Sequence, residues 1–450
     1  MQTAQNTHAV QVRKLLSGGA CTSNAIGASL GISQPTVSRV LRSMGIEIIK
    51  ISIQGAIQYL LRDPRRAALG ACVSRVTLHG RLQRLGELVP VWPEGCVLKA
   101  DDGDDSYSDG LPWWLFDMRP QGYLGRAYAR HHAKRLLLPE RLSDWSDSHV
   151  LQALQQHGDD LAGNLLIGEQ AEQRFINAPQ PQPIALAHKA RAYAGLASAA
   201  EAGELPGSSA GGEQPKFTAY VETEQGSAHV IVKFSAAQDN VVSERWRDLL
   251  LAEHIALEVL AQSGVPAASS RIVDYAGQRF LEVERFDRAG AMGRTALLSL
   301  AALDAEFVGS GGRWYEVSQA LVQQQCVVPA ASQGAALLWA FGTLMGNTDM
   351  HNGNLSFTSD QGRPYQLAPA YDMTPMAFAP SSGGGMGHEI PEPRITTAIS
   401  GERWRVALQM AERYVQRLQA DPRFSARFAP CTQATLVHLA QAQTRIDRLA

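Results

Sequence analysis

The sequence has 450 residues, of which 45% are hydrophobic and 19% are charged, and its net charge is −2. These values are typical of a soluble protein with two to four domains. No apolar run is long enough to span a membrane, and the polar N-terminus is unlike a signal peptide, so we expect a cytoplasmic protein without membrane contacts. The five scattered cysteines form no CxxC pair, which predicts buried thiols instead of disulfides or a zinc site.

The first 68 residues predict a helix at Val10–Leu16 and then two helices, Ser23–Leu30 and Gln34–Met44, that meet at Gly31. Two β-rich runs with a turn near Gly55 follow. The apolar residues expected to pack between the helices are Ala25, Ile26, Leu30, Val37, Val40 and Leu41. The helix at Gln34–Met44 resembles the recognition helix of winged helix-turn-helix domains. In such a domain, the residues that face bases and phosphates would be Gln34, Thr36, Ser38, Arg39 and Arg42.

The charge of this segment supports contact with DNA. Residues 1–66 contain eight basic and two acidic residues, so they carry +6 in a chain whose net charge is −2. Neutralisation of phosphates supplies most of the non-specific affinity for nucleic acids. The alternative is a winged helix that mediates only protein contacts or dimerisation, because a fold does not fix a function.

Residues 69–184 are less regular. The acidic run DDGDDSYSDG is predicted to be a solvated loop and not a metal site. In the following LPWWLFDMRP segment, Trp113, Trp114 and Phe116 are predicted to be core residues and not a binding platform. Residues 131–176 are predicted to be mainly helical, and the Pro/Gln run at 177–185 is predicted to be an exposed connector.

A cluster of small residues at 207–212 precedes an alternating, strand-like stretch. Its backbone N–H groups could approach an anion closely, although a flexible linker is the alternative. On the next predicted strand, Lys233 lies within a β-branched run, where a buried charge requires an anionic partner. The following helix offers Glu253 and Glu244 as partners, and we prefer Glu253.

The segment GNTDMHNGNLSF at 346–357 concentrates polar residues between a helix-like run and a strand-like pair. An Asx-rich turn is the simple interpretation. The alternative interpretation is a site for phosphoryl transfer. That reaction needs one carboxylate for the attacking hydroxyl and separate oxygen ligands for magnesium. Asp349, Asn354 and the more distant Asp372 satisfy that requirement.

The loop also resembles the D-x-H-x-x-N loop of the HipA family of serine/threonine kinases. The VERFDR segment at 283–288 resembles the hinge strand of that family, and all the segments follow in the family's order over residues 185 to 440. The resemblance implies an α+β protein. Its parts would be a winged helix-turn-helix domain at 1–68, a small mixed subdomain with a helical connector at 69–184, and a two-lobed protein-kinase-like domain at 185–450. The N-lobe would end near residue 288, and an α-rich C-lobe would follow.

The resemblance also assigns roles by position. Asp349 would be the catalytic proton acceptor, and Asn354 and Asp372 would bind Mg²⁺. Ser208 corresponds to an autophosphorylated serine, with the adjacent Ser209 as the alternative. Pro215 is an extra residue relative to the family pattern. The residues implied to bind ATP are Ala210, Gly211, Gly212, Lys216, Lys233, Glu284, Arg285, Phe286, His351, Asn354, Tyr371 and Asp372.

The fused N-terminal domain most resembles the YjjJ-type members of the HipA family. This implies an ATP- and Mg²⁺-dependent kinase toxin, which inhibits growth by phosphorylating a translation protein such as an aminoacyl-tRNA synthetase. DNA is an implied partner, while a HipB-like antitoxin and a homodimer are left open by the sequence. The alternative is a DNA-binding transcription regulator whose kinase-like domain senses nucleotide or mediates dimerisation without phosphoryl transfer.

Overall fold

The structure, a computed structural model, describes residues 2–53, 55–202, 214–359, 362–381 and 383–449. Within these residues the helices surround five small sheets in a mixed α/β fold, in agreement with the α+β prediction. No helix in the described ranges combines the length and the apolar character needed to cross a bilayer.

The N-terminal part consists of three helices and a hairpin. Its elements are α1 (Gln2–Leu16), α2 (Ser23–Leu30), α3 (Gln34–Ser43), β1 (Ile48–Ile53) and β2 (Ala56–Leu61). Gly31 ends α2 in the left-handed conformation, with φ 65°, and so lets the chain turn into α3. Ile26 and Val37 are fully buried between these helices, but Ala25 is exposed. The prediction that Ala25 packs there is wrong, because one helical step turns it away from the buried face that Ile26 occupies.

The middle part is an antiparallel sheet in the order β6-β5-β4-β3-β7, with helices against it. Its elements are β3 (Ala71–Val76), β4 (Leu82–Pro90), β5 (Cys96–Ala100), β6 (Ser106–Ser108), α4 (Gly122–Leu136), α5 (Asp147–His157), β7 (Leu165–Ile167) and α6 (Glu169–Asn177). Val89 and Val97 of this sheet share one apolar cluster with Ile49 and Leu60 of the N-terminal hairpin. The N-terminal part therefore rests on the middle sheet.

Two stacked histidines lie between α4 and α5. The rings of His132 and His157 are 4.1 Å apart. Arg135 donates to Nε2 of His157 at 2.8 Å, so the neutral ring carries its proton on Nδ1, which lies 2.9 Å from the Tyr128 hydroxyl. Burial, together with neighbouring positive charge, lowers the pKa of each histidine to about 4. Both rings are therefore neutral at neutral pH.

Acidification from pH 6.5 to pH 4 is expected to destabilise the folded chain through this pair. The unfolded chain binds protons near the ordinary histidine pKa of 6.5, whereas the folded chain binds them only near 4. The free energy of unfolding therefore falls as the pH drops from 6.5 to 4. Above pH 6.5 the two histidines no longer affect how stability depends on pH. Calorimetry should show a steeper fall in Tm for the wild type than for His132→Gln/His157→Gln. Parallel Tm profiles in the two proteins would contradict the prediction.

The C-terminal half begins with α7 and a four-stranded antiparallel sheet in the order β10-β11-β9-β8. Its first elements are α7 (Lys189–Glu201), β8 (Lys216–Thr223), β9 (Gly226–Phe234), α8 (Val241–Gln262), β10 (Ser270–Tyr275) and β11 (Gln278–Glu284). On one face of the sheet, Phe217, Phe234 and Phe280 pack against Tyr193 of α7. The long helix α8 contacts β10 and β11, so it spans the sheet beside the following lobe.

The remaining elements form a mainly helical lobe. They are β12 (Arg288–Ala289), β13 (Gly293–Arg294), β14 (Ala296–Ser299), α9 (Leu300–Leu303), α10 (Trp314–Gln323), α11 (Pro329–Met345), β15 (Ser356–Ser359), β16 (Gln366–Leu367), α12 (Gly401–Ala420) and α13 (Ala429–Ile446). The largest apolar cluster among the described residues lies here, with Trp314, Phe341, Trp404 and Tyr414 almost fully buried. This core holds α11 and the loop that follows it in a fixed position.

Candidate active site

A cavity of about 350 Å³ lies between the four-stranded sheet and the helical lobe. This volume is in the range of pockets that hold small ligands. Ile231, Val283 and Leu297 supply apolar walls, and charged residues that include Lys233, Glu253 and Asp372 also line it. Nine residues predicted to bind ATP line it, namely Lys216, Lys233, Glu284, Arg285, Phe286, His351, Asn354, Tyr371 and Asp372. The predicted loop residues Ala210, Gly211 and Gly212, and the phosphorylation candidates Ser208 and Ser209, lie outside the described residues.

Lys233 makes the central ion pair of this cavity. Its Nζ donates to Glu253 Oε1 at 2.7 Å and Oε2 at 2.9 Å, and it also contacts the carboxylate of Asp372. The second helix candidate, Glu244, instead lies 3.6 Å from Arg427. The preference for Glu253 is therefore confirmed.

The ionic states within this group follow from burial and pairing. Burial alone would lower the pKa of Lys233, but the carboxylates of Asp372 and Glu253 outweigh it and raise that pKa. For Asp372, burial is outweighed by Lys233 and Lys216, which lower its pKa. Lys216 faces Lys233 in the register of β8 and β9, so two buried ammonium groups stand at one end of the cavity. Asp372 is therefore an ionised carboxylate that directly faces positive charge.

Asp372 also has an unusual backbone. Its φ is 57°, in the left-handed region, and a residue other than glycine in a sparsely populated conformation costs about 1 to 3 kcal/mol. The ion pair with Lys233 holds the side chain in this position. Such strain is found most often where a side chain must point at a ligand, and here it directs the carboxylate into the cavity.

The Asp349 loop follows α11, which ends at Gly346 with φ 82°. Asn347 Oδ1 accepts the backbone N–H of Asp349 at 3.0 Å, and Asn354 Nδ2 donates to the backbone carbonyl of Asp349 at 2.9 Å. These two bonds fix the backbone of Asp349. Because Asn354 uses its amide nitrogen here, its amide oxygen is the atom that could bind a cation.

Asp349 lies beside the cavity and not among its lining residues. It lines a neighbouring groove of about 570 Å³, and His351 lines both spaces. Burial raises the pKa of Asp349, and the charge of Asp372 adds to that effect. The predicted catalytic carboxylate therefore faces the groove next to the cavity.

Phe286 and Tyr371 close part of the cavity wall, with ring centroids 5.7 Å apart. The Tyr371 hydroxyl donates to the Gly353 carbonyl at 2.9 Å and lies 2.7 Å from Ser356 Oγ. The His351 ring accepts the backbone N–H of Gly353 at 3.0 Å through Nδ1. These bonds hold the side chains of Tyr371 and His351, two of the predicted pocket residues, at the Asp349 loop.

Arg285 has a structural use that the sequence did not indicate. Its guanidinium forms two 3.0 Å bonds with the carboxylate of Asp287 and lies 3.3 Å from Asp160 of the middle part. The backbone N–H of Gly163 donates to Asp287 at 2.9 Å, and Arg288 lies 2.7 Å from Asp160. We call these five residues the hinge clamp. It joins the middle part to the edge of the cavity.

The middle part also supplies cavity walls that sequence reasoning missed. Phe116, Asp117, Gln121 and Ala162 line the cavity from that side. The Asp117 carboxylate accepts the backbone N–H of Ser299 at 2.6 Å. One signal was available, since an aspartate inside the aromatic run WWLFDM would be costly to bury without a partner.

The outward face of α3 matches its predicted pattern of exposure. Gln34, Ser38, Arg39 and Arg42 are exposed, and Thr36 is half-buried with its hydroxyl 3.0 Å from Ser33 Oγ. No acidic residue lies on this helix. The face can therefore meet an anionic partner.

Two family descriptions match the chain. Residues 69–176 match the YjjJ-like toxin middle domain, and residues 208–438 match the HipA-like C-terminal domain. The toxin YjjJ of Escherichia coli (strain K12) is 38% identical over 441 residues, which cover 98% of this chain and 99% of that toxin. The chain belongs to the YjjJ-like toxins. This YjjJ-like toxin matches its relative along nearly the whole length of both.

Two solved structures resemble this YjjJ-like toxin. One is a chain of the Shewanella oneidensis MR-1 toxin–antitoxin complex of HipA, HipB and operator DNA, with 16% identity, a TM-score of 0.49, and coverage of 84% of this chain and 97% of that one. The other is the Helicobacter pylori proinflammatory kinase CtkA, with 13% identity, a TM-score of 0.36, and coverage of 52% and 90%. Family membership rests on the sequence matches.

Proposed function

We propose that this chain is a serine/threonine protein kinase that depends on ATP and Mg²⁺, and that its phosphorylation of a protein inhibits growth. The observation that carries the proposal is the meeting of Lys233, Asn354 and Asp372 at one cavity, with Asp349 beside it. Phosphoryl transfer depends on positioning and charge stabilisation, and these groups supply both.

The cavity residues fit a nucleotide. Apolar side chains on both sides of the cavity suit the faces of a flat base, and Glu284 to Phe286 run along one edge. Lys216 and Lys233 are buried at the polar end, where their ammonium groups suit phosphate oxygens. Lys233 is held in place by Glu253, so its position does not depend on the ligand.

The residues also fit Mg²⁺. Asp372 offers an ionised carboxylate and Asn354 an amide oxygen, which are hard oxygen donors of the kind this ion prefers. Among the described residues, no three His, Cys, Asp or Glu side chains form a metal cluster. A magnesium ion held jointly with phosphates requires only one or two protein ligands. When bound, the ion would neutralise negative charge on the phosphates.

Asp349 is proposed as the acceptor of the substrate hydroxyl proton. Burial raises its pKa, which increases its affinity for that proton, while the bonds from Asn347 and Asn354 fix its backbone. A serine or threonine of the protein substrate would enter through the groove beside Asp349. An aminoacyl-tRNA synthetase is the proposed kind of substrate, and Ser208 is the proposed site of autophosphorylation.

The N-terminal part is proposed to be a winged helix-turn-helix domain that binds DNA through α3. The exposed polar residues of α3, the lack of acidic residues on that helix and the net charge of +6 in residues 1–66 support this proposal. We further propose domain boundaries at 1–68, 69–184 and 185–450, cytoplasmic localisation, a homodimer, and a HipB-like antitoxin as a partner.

Transfer of label from γ-³²P-ATP tests the central proposal. We expect label on the chain itself or on an added cell extract in the presence of Mg²⁺, and a loss of about a hundredfold or more with excess EDTA, because the cation neutralises developing charge. Label that persists at the same rate without divalent cations would contradict the magnesium assignment. ATP binding without transfer to any protein of a whole-cell extract would contradict the kinase assignment.

A further inference from the structure

Thr374 lies two residues after Asp372 and is buried, in the segment 371–376 that we call the Asp372 turn. Its hydroxyl donates a hydrogen bond of 2.8 Å to Oε2 of Glu253 on α8. The same oxygen accepts a bond of 2.9 Å from Nζ of Lys233. One side chain therefore connects the segment that carries Asp372 to the ion pair that holds Lys233.

The Glu253 carboxylate needs more than one donor. It has no exposed surface, and a buried carboxylate is costly unless hydrogen bonds satisfy its oxygens. Among the described residues, Lys233 donates to both oxygens and Thr374 adds a third bond. The Tyr414 hydroxyl of the neighbouring helix α12 is buried and makes no hydrogen bond within the described part of the chain, so it does not replace Thr374. The Thr374 bond therefore restricts the directions in which this carboxylate can turn.

The Asp372 turn has other anchors for its backbone. The N–H of Ala377, directly after the turn, donates to the carbonyl of Gly346 at 3.0 Å. Arg245 of α8 is buried and donates to the carbonyl of Phe378 at 2.9 Å. Because these bonds hold the backbone, the bond from Thr374 to a charged side chain is available to orient Glu253.

We infer that Thr374 is a positioning residue, whose hydroxyl holds Glu253 in the orientation that presents Lys233 to the nucleotide phosphates. The inference rests on the proposed kinase function. In kinases, the lysine–glutamate pair and the aspartate that binds magnesium must both be in place. Thr374 bonds to the first and lies on the turn that carries the second. Thr374 is not among the residues that line the cavity, so it acts through Glu253.

Thr374→Val tests this inference, because valine keeps the shape of the side chain and removes the hydroxyl. Single-turnover transfer from γ-³²P-ATP should fall about tenfold, since a hydrogen bond to a charged group is lost. Thr374→Ser keeps the donor and should stay within about twofold of the wild type. If Thr374→Val does not fold, Thr374→Cys, whose thiol is a weaker donor, should show a smaller loss in the same direction.

Urea unfolding provides a second test that needs no nucleotide. Burial raises the pKa of Glu253, and loss of the Thr374 bond should raise that pKa further. Thr374→Val should therefore have a lower urea midpoint than the wild type at about pH 8, and the difference should narrow toward about pH 5, as Glu253 becomes protonated in both proteins. The other titratable groups near Glu253 are the same in both proteins, so their titration cancels in the comparison. They are Lys233 of β9, Asp372 of the turn and Tyr414 of α12, with Lys216 and His351 near Asp372.

The matched control is Thr435→Val. The Thr435 hydroxyl is also fully buried, but it donates to the backbone carbonyl of Cys431 at 2.9 Å. Transfer by this control should equal that of the wild type, and its change in urea midpoint should not depend on pH.

Three results would overturn the inference. They are transfer by Thr374→Val within about twofold of the wild type, a loss in Thr374→Ser as large as in Thr374→Val, and a urea difference that is the same at both pH values. If the wild type transfers no phosphate, the proposed kinase function fails. The urea comparison then still decides whether Thr374 holds the Glu253 carboxylate.

Discussion

Asp349→Asn should lower the rate of phosphoryl transfer by about a thousandfold and leave ATP affinity within about twofold of wild type. Asparagine keeps the size of the side chain but cannot accept the substrate proton. Asp349 does not line the cavity, and its backbone is held by Asn347 and Asn354, so the replacement should leave the cavity intact. Single-turnover transfer from γ-³²P-ATP and calorimetric titration with Mg²⁺–ATP measure the two quantities.

The control for this experiment is Asp239→Asn. That carboxylate is 90% exposed and pairs with Arg247 at the surface, so transfer should stay at the wild-type rate. Transfer by Asp349→Asn within about threefold of wild type would remove Asp349 from the mechanism. If the wild type and the variant both bind ATP and neither transfers phosphate to any protein of a whole-cell extract, the chain is better described as a nucleotide sensor.

Lys233→Met should affect both stability and activity. The replacement leaves the buried Glu253 without its cation, and removal of one partner of a buried ion pair costs about 3 to 5 kcal/mol. We therefore expect a loss of that size in the free energy of unfolding, measured with urea. Phosphoryl transfer should fall below detection, because the proposed contact of Lys233 with the nucleotide phosphates is also lost.

A second replacement separates these two effects. Lys233→Met/Glu253→Gln should recover part of the stability, since the neutral amide would leave no unpaired charge on the helix side, yet transfer should remain absent. Lys99→Met provides the control, because Lys99 pairs with Asp105 and its side chain is 40% exposed. This replacement should change the free energy of unfolding by no more than about 1 kcal/mol. Recovery of transfer in the double variant would mean that Lys233 has only a structural role.

The sequence was most informative where chemistry limits the choice of residue. A lysine in a β-branched run needs an anion, and the structure supplies Glu253 and Asp372. Asp349, Asn354 and Asp372 are predicted because phosphoryl transfer needs one carboxylate for the hydroxyl and separate oxygen ligands for magnesium, and because the loop resembles that of the HipA family. Helical phase was harder to predict, as the exposed Ala25 shows, because a short amphipathic helix allows more than one register.

Contacts between distant segments could not be predicted. Nothing in VERFDR indicates that Arg285 bonds to Asp160 while it lines the cavity, because Asp160 is more than a hundred residues away. Similarly, Phe116 was predicted to be a core residue, whereas it lines the cavity. A single sequence carries no record of which surfaces meet in the fold.

The hinge clamp has a consequence for the autonomy of the C-terminal half. Arg285 and Asp287 are both buried, and their surroundings include Asp160 and Gly163 from the middle part. A chain that began at residue 185 would expose Arg285 and Asp287 of the hinge clamp and open one side of the cavity. The middle and C-terminal parts should therefore unfold in a single cooperative transition, and neither part is a module that can be exchanged between proteins on its own.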